Sequence, residues 1–274
     1  MNEPRPTSDS TSPSAQDLYE VCVQSPAHVV DLLRAIHGQD PLRLGEDFAG
    51  SGAVSRAWVA QSDQHHAWCV DRDAKALAFC GDADRVSTRV ADVTEEAARV
   101  DAIWVGNFSI GYHHDRPSLL AYLKHVRTRL NPSGVFVCDT YGGESAFLIG
   151  EVHRYHQLPK ELAPDGTGGW RVRYTWEQRE ADPLTGMVTN ALHFRIERAG
   201  VIETELIDAF MYRWRLWTVP ELRDTMAEVG LQNTAVYGQL PDAVDDQGRP
   251  YIQPIDSPED VDENFIVCVA GRAE

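Results

Sequence analysis

The sequence predicts a doubly wound α/β sheet that carries a β-rich insertion, and three patterns predict it. From Leu42 to Cys138, short apolar runs of strand length alternate with segments whose apolar residues recur at helical spacing. That alternation is the mark of a mainly parallel sheet with helices on both faces. After the fifth such run, residues 142–217 switch to β-like stretches in which charge and aromatics intermingle. Two further apolar runs, Thr234–Tyr237 and Phe265–Ala270, then return the chain to the sheet. The expected sheet has seven strands, with an antiparallel last strand and the insertion after strand 5.

Each element has its own signal. Residues 1–16 begin Pro-, Ser- and Thr-rich with no apolar stretch, and are expected to be a disordered tail without a signal peptide. The sheet domain then spans 17–274. Ser25-Pro26 opens a helix that buries Val29, Leu32, Leu33 and Ile36 and stops at Gly38. Strands are expected at Leu42–Ala49, Ala67–Val70, Val86–Ala91, Ala102–Val105 and Val135–Cys138. Helices are expected at Ala53–Ala60 and at Ala74–Cys80, the latter capped by Asp73. A third carries Leu119, Leu120, Leu123, Val126 and Leu130 and stops at Asn131-Pro132-Ser133-Gly134. In the insertion, Trp170–Arg179 and Val188–Ile196 flank the turn formers Asp182-Pro183-Leu184-Thr185-Gly186 as an antiparallel hairpin, and Glu203–Trp217 is a third β run. Pro220 opens a helix that ends at Gly230, and the acidic, Pro-rich stretch Gln239–Asn264 is a loop, solvated or acting as a lid.

Composition narrows the partners. The 274 residues hold 25 Lys plus Arg against 42 Asp plus Glu, a formal net charge of −17. Phosphate backbones and anionic membrane surfaces both select clustered Lys and Arg, so neither nucleic acid nor membrane is expected as a partner. Five scattered cysteines form no Cys-x-x-Cys pair. No metal site is expected, and a reducing, cytoplasmic setting fits best. The oligomeric state is not readable.

In open α/β sheets ligands bind beyond the carboxyl ends of the strands, near the switch in strand order. The first such end reads Glu46-Asp47-Phe48-Ala49-Gly50-Ser51-Gly52, where two glycines allow close backbone approach to a ligand. Asp71 ends the second strand, where a carboxylate can accept two ribose hydroxyls. Asp92 ends the third, beside an adenine amine or as a cap for residues from Thr94. Asn107 ends the fourth.

This succession resembles the cofactor motifs of class I S-adenosylmethionine-dependent methyltransferases, from Tyr19 to Gly271, with their Rossmann-like fold. It is similar in particular to a group of uncharacterised bacterial methyltransferases at Tyr19-Glu20, Val23-Gln24, Glu46-Asp47-Phe48 and Asn107-Phe108-Ser109. Tyr174-Thr175-Trp176-Glu177-Gln178 and Asp208-Ala209-Phe210-Met211-Tyr212-Arg213-Trp214-Arg215 resemble that group as well. The resemblance implies S-adenosylmethionine as cofactor and S-adenosylhomocysteine as product. It implies Glu46 near the methionine ammonium, and Phe48, Ala49, Gly50, Ser51 and Gly52 beneath the methionine and ribose. Asp71 would hold the ribose, Arg72, Asp92 and Val93 the adenine, Asn107 and Phe108 the methionine end, with Tyr19 among the cofactor contacts. Phe48 stands where the family commonly has its first glycine. Asn107-Phe108-Ser109 lacks the two prolines that amino-methylating DNA and protein enzymes carry after Asn.

The implied reaction is in-line displacement of a methyl group by a small-molecule acceptor, in which positioning supplies much of the rate. Where the acceptor carries a proton, His113 and His114 are the candidate bases, with Tyr141 as a catalytic hydrogen-bonding partner. Tyr112, Trp176 and Arg213 are the candidate substrate contacts. Trp170, Trp176, Trp214 and Trp217 either exclude water there or fill sheet core. Two other readings stay open. Gly50-Ser51-Gly52-Ala53-Val54-Ser55 is a near miss for a dinucleotide-binding G-x-G-x-x-G, which would suit an NAD-dependent oxidoreductase. A methyltransferase fold can also bind cofactor or partner without catalysing transfer.

Overall fold

The computed structural model describes residues 12–241, 243–244 and 250–274. Most of the expected disordered tail, and part of the acidic stretch 239–264, therefore lie outside the described residues. The chain divides into two compact units: residues up to Gln24 with Phe147–Arg213, and Ser25–Ala146 with Trp214–Glu274. In chain order the elements are α1 (Ala15–Cys22), α2 (Pro26–His37), β1 (Arg43–Asp47), α3 (Ala53–Val59), β2 (His66–Asp71), α4 (Ala74–Leu77) and β3 (Val86–Val90). Next come β4 (Val100–Val105), α5 (Arg116–Arg129), β5 (Leu130–Gly143), β6 (Gly150–Gln157), β7 (Arg171–Asp182), β8 (Met187–Arg198) and β9 (Val201–Arg215). The chain ends with α6 (Val219–Glu228), β10 (Leu231–Tyr237), β11 (Ala243–Val244), β12 (Pro250–Tyr251) and β13 (Asn264–Ala273).

The larger unit is built on a seven-stranded sheet in the order β10-β13-β5-β4-β1-β2-β3. β1 to β5 pair in parallel, and β13 runs antiparallel between β5 and β10, as expected. The order reverses between β1 and β4, which puts the switch point beside Glu46–Gly52 and Asn107. Alternate residues of each central strand enter different cores. Ile103, Val105, Phe136 and Cys138 pack with Leu119, Tyr122 and Leu123 of α5 and Leu222 and Met226 of α6. Ala102, Trp104, Val135 and Val137 pack with Leu32, Leu33 and Ile36 of α2 and Trp58 of α3. A strand buried on both faces reads as a continuous apolar run, which is why these strands were visible in the sequence.

Helix ends follow the sequence closely. Pro26 begins α2 and Gly38, at φ 73°, ends it. Asp115 caps α5 by accepting from the Ser118 amide, and Thr218 with Glu221 forms a capping box on α6. Two expectations change. The helix expected through Cys80 ends at Leu77 and tightens into a 3-10 turn over Ala78–Cys80. Asn131-Pro132-Ser133-Gly134, expected as a break after the helix, lies within β5, where the β4–β5 register shifts and Ser133 takes φ 64°. Among the described residues no helix is long and apolar enough to cross a membrane.

The smaller unit is a four-stranded sheet ordered β6-β7-β8-β9. Val172, Tyr174, Leu192, Phe194 and Ile196 pack on one face against Leu18 and Cys22 of α1. The hairpin around Asp182–Gly186 forms as expected, with Gly186 at φ 76°. β6 and α1 were not foreseen. α1 starts at Ala15 under a Ser14–Asp17 capping box, so the last two residues assigned to the tail are helical.

One ion pair is fully enclosed in the larger unit. Nη1 of Arg129 on α5 donates to both carboxylate oxygens of Asp47, at 2.8 Å each, and both side chains are essentially inaccessible. The Tyr122 hydroxyl donates to the same carboxylate at 2.8 Å. Gly45 is needed alongside, because a Cβ there would stand 2.9 Å from Nη2 of Arg129. Removing one partner strands a buried charge, so Arg129→Met should lower unfolding free energy by about 3–5 kcal/mol in urea denaturation. Asp47→Leu combined with Arg129→Met should recover most of that loss. Equal instability of the single and double variants would show that the pair is not what holds β1 to α5.

Candidate cofactor site

The turn after β1 is held in a conformation that few side chains adopt. Phe48, Gly50 and Gly52 all have positive φ, at 56°, 54° and 66°. Phe48 thus takes up the left-handed backbone that suits a glycine. Nothing lies within 4 Å of where a Cβ on Gly50 would be, so the turn opens onto free space there. At Gly52 the reverse holds: a Cβ would stand 3.0 and 3.1 Å from the thiols of Cys80 and Cys69, so the turn rests on sulfur.

Two carboxylates fix this turn. Asp71, half-buried at the end of β2, accepts from the Gly50 amide at 2.7 Å and from the Asp73 amide at 2.8 Å. Glu46, buried at the end of β1, accepts from the Ser55 amide at 2.7 Å, so its carboxyl reaches beneath the turn to α3. Burial pushes its pKa up to about 7, against the downward pull of the Ser55 hydrogen bonds. Ala49 and Ser51 are buried within the turn.

At the end of β3, Asp92 caps the 3-10 turn Val93–Glu95 by accepting from the Thr94 amide at 2.8 Å, and it pairs with the exposed Arg72. Partial burial raises its carboxyl, but the Thr94 hydrogen bonds and the Arg72 guanidinium outweigh that and hold it below the usual range. Val93 is a core residue under this turn. At the end of β4, Asn107 and Phe108 are two consecutive residues in the left-handed region, at φ 53° and 62°. Their amides donate to Asp139 at 2.9 and 2.7 Å. Asp139, buried on β5, is raised to about 7 by desolvation, against those two amides. Sequence reasoning missed Asp139; its signal is a lone acid directly after the apolar run Val135–Cys138.

Aromatic rings surround this strand end. Phe48 stacks on Tyr112 at 5.6 Å, and Phe108 meets Tyr141 edge-on at 4.9 Å and Trp214 at 6.1 Å. Trp214 sits this close because Gly111 has no side chain; a Cβ there would lie 2.7 Å from that of Trp214. The adjacent histidines part company. His114 is exposed, whereas His113 is 8% exposed, stacked on Tyr122 at 4.6 Å, with Nδ1 3.0 Å from the Ser118 hydroxyl. Its Nε2 is buried without a partner, and burial lowers its pKa to about 4. The imidazole is therefore neutral near pH 7.

Three predicted residues belong to the smaller unit. Tyr19 on α1 packs against Phe210 at 5.0 Å, Trp176 is half-buried against the same core, and Arg213 is exposed. Trp170 and Trp217 are core residues of the smaller and larger unit respectively. Glu177, His193 and Asp208 bring three potential metal ligands within 4.8 Å of one another. Each of the three already has a partner within the sheet. The Asp208 amide donates to Nδ1 of His193 at 2.9 Å, which leaves a neutral ring's proton on Nε2, 3.0 Å from Glu177. Arg179 donates to both acids.

The buried histidine makes stability depend on pH. Its folded pKa lies below the unfolded value of 6.5, so the unfolded chain takes up the proton first as pH falls. Relative to His113→Phe, the wild type should lose up to about 3 kcal/mol between pH 6.5 and 4, read from urea midpoints. Parallel pH profiles for the two proteins would contradict a buried neutral imidazole.

No family model and no curated protein sequence matches the chain. Solved structures do match along its whole length. A S-adenosylmethionine-dependent methyltransferase from Clostridium acetobutylicum aligns at TM-score 0.61 and 13% identity over 93% of this chain and 96% of its own. The sugar N-methyltransferase KedS8 from Streptoalloteichus aligns at 0.61 and 16% identity, over 100% and 98% of the two chains. CalS10, an amino pentose methyltransferase from Micromonospora echinaspora, aligns at 0.62 and 15% identity, over 93% and 94%. The chain has the Rossmann-like fold of the class I S-adenosylmethionine-dependent methyltransferases.

Proposed function

We propose that the chain transfers a methyl group from S-adenosylmethionine to a small-molecule acceptor. The observation that carries this reading is the Phe48–Gly52 turn, left-handed at three positions and tied by the Gly50 amide to Asp71, at the switch point of the sheet. The residues fit the group. The space above Gly50 suits the methionine and ribose, with Ala49, Ser51 and Gly52 continuing the floor. Asp71 keeps lone pairs for ribose hydroxyls beyond the two amides it accepts. Arg72, Asp92 and Val93 would border the adenine, and Asn107 and Phe108 the methionine end. Glu46, turned to Ser55, holds the turn from behind. When bound, the cofactor supplies an electrophilic methyl group on sulfur.

The chain's own residues would then position the acceptor and take its proton. Phe108, Tyr112, Tyr141 and Trp214 present ring faces and edges that exclude water and favour a developing positive charge. Burial disfavours the protonated form of His113 and encloses its Nε2, so exposed His114 is the better placed of the two to accept a proton. An amine is the acceptor these features favour, and the names of KedS8 and CalS10, both tied to aminated or N-methylated sugars, support the same choice.

Calorimetry tests the reading. S-Adenosylhomocysteine should bind in the micromolar range, and Asp71→Ala should weaken it at least tenfold, or about 1.4 kcal/mol. NAD should show no heat of binding. Binding of NAD without S-adenosylhomocysteine would replace this reading with the oxidoreductase.

A further inference from the structure

The four-stranded sheet has one apolar and one charged face. Because Tyr174, Phe194 and their alternates turn to the core, Arg173, Thr175, Glu177, His193 and Arg195 share the opposite side. A cleft of about 310 Å³ lies on that side, lined by Arg173, Thr175, Arg179, His193, Arg195 and Glu205 among others. Its volume is at the lower end of small-molecule sites.

Apart from Arg173, the arginines of this face are each paired with an acid. Arg179 bridges Glu177 and Asp208, Arg195 holds Glu205, and Arg171 holds Glu197. Arg173 pairs with none of them; among the described residues no group accepts a hydrogen bond from it, and its Nε is buried without a partner. Its position makes this worse, because Arg173 stands directly across the β7–β8 ladder from Arg195. Like charges in directly opposed positions destabilise a sheet. In a chain with 42 acidic residues, a half-buried guanidinium left bare beside another is poorly explained by folding alone. A guanidinium with its planar donors unused is, however, what an incoming oxyanion requires.

The geometry points to a binding site for a small carboxylate in this cleft, with Arg173 as the residue that receives it. A single negative charge matches the single unpaired cation. A phosphate dianion would carry its second charge into the field of Glu151, Glu177 and Glu205, which also line the cleft. The inference stands on the smaller unit alone and does not depend on methyl transfer.

The test is a nuclear magnetic resonance titration of the 15N-labelled full chain with sodium acetate, against sodium chloride at constant ionic strength. Saturable shifts are expected at the Arg173 side-chain Nε–Hε and at amides of residues 173–175 and 193–195. Arg173→Gln should weaken binding at least tenfold. Arg198→Gln, which removes a guanidinium already paired with Asp165, should leave it unchanged. Arg173→Gln should also melt no lower than wild type, because it relieves the repulsion. Shifts that fail to saturate, or that persist in Arg173→Gln, would overturn the site. So would a melting temperature lowered by more than about 4 °C, which would make the guanidinium structural. Inorganic phosphate binding tenfold more tightly than acetate would overturn the assignment to a carboxylate.

Discussion

The Asp47 carboxylate is the constraint on which the cofactor side of the molecule depends. It accepts from Arg129 and Tyr122, and so ties the last residue of β1 to α5. Everything at the switch point follows in sequence or in contact. Phe48 is the next residue, its ring 6.0 Å from that of Tyr122, and His113 stacks on the same tyrosine with its own ring 5.9 Å from Phe48. The desolvation of a buried ion pair often cancels its Coulombic gain. This one leaves Nε and Nη2 of Arg129 unsatisfied, so its contribution is to place β1 against α5 rather than to add net stability.

Around that anchor, the site is built from backbone that resists its own conformation. Eight non-glycine residues have positive φ among those described, and three of them, Phe48, Asn107 and Phe108, border the same strand ends. Such residues cost about 1–3 kcal/mol each and persist only where neighbours over-determine them. Here the neighbours are carboxylates. Asp139 takes the amides of Asn107 and Phe108, and Asp71 takes that of Gly50. Glu46 and Asp71, expected to face a ligand, thus hold the frame together with Asp139, and burial raises Glu46 and Asp139 to about 7.

What the sequence revealed was what periodicity and glycine encode. The central strands are apolar on both faces, so they stand out as runs, and Gly50 and Gly52 mark a turn whatever surrounds them. β6 was invisible because Gly150–Gln157 is polar and almost wholly exposed, which leaves no alternation to find. The partnerships of Asp47 and Asp139 were invisible for a different reason. Asp47 meets Arg129 across 82 residues, and no local pattern links such positions. His113 and His114 were indistinguishable as neighbours, yet the 3-10 turn before them buries one and exposes the other. The direction of Glu46 was likewise unreadable, since a residue in a doubly covered strand has two faces to choose from.

A crystal structure with S-adenosylhomocysteine tests the central claim, that residues 46–52 form a prebuilt cofactor turn. The account predicts ribose hydroxyls on Asp71, adenine beside Asp92 and Val93, and Phe48, Gly50 and Gly52 keeping their left-handed backbone. Ligand bound elsewhere, or a turn that abandons the Gly50–Asp71 hydrogen bond to receive it, would contradict the claim.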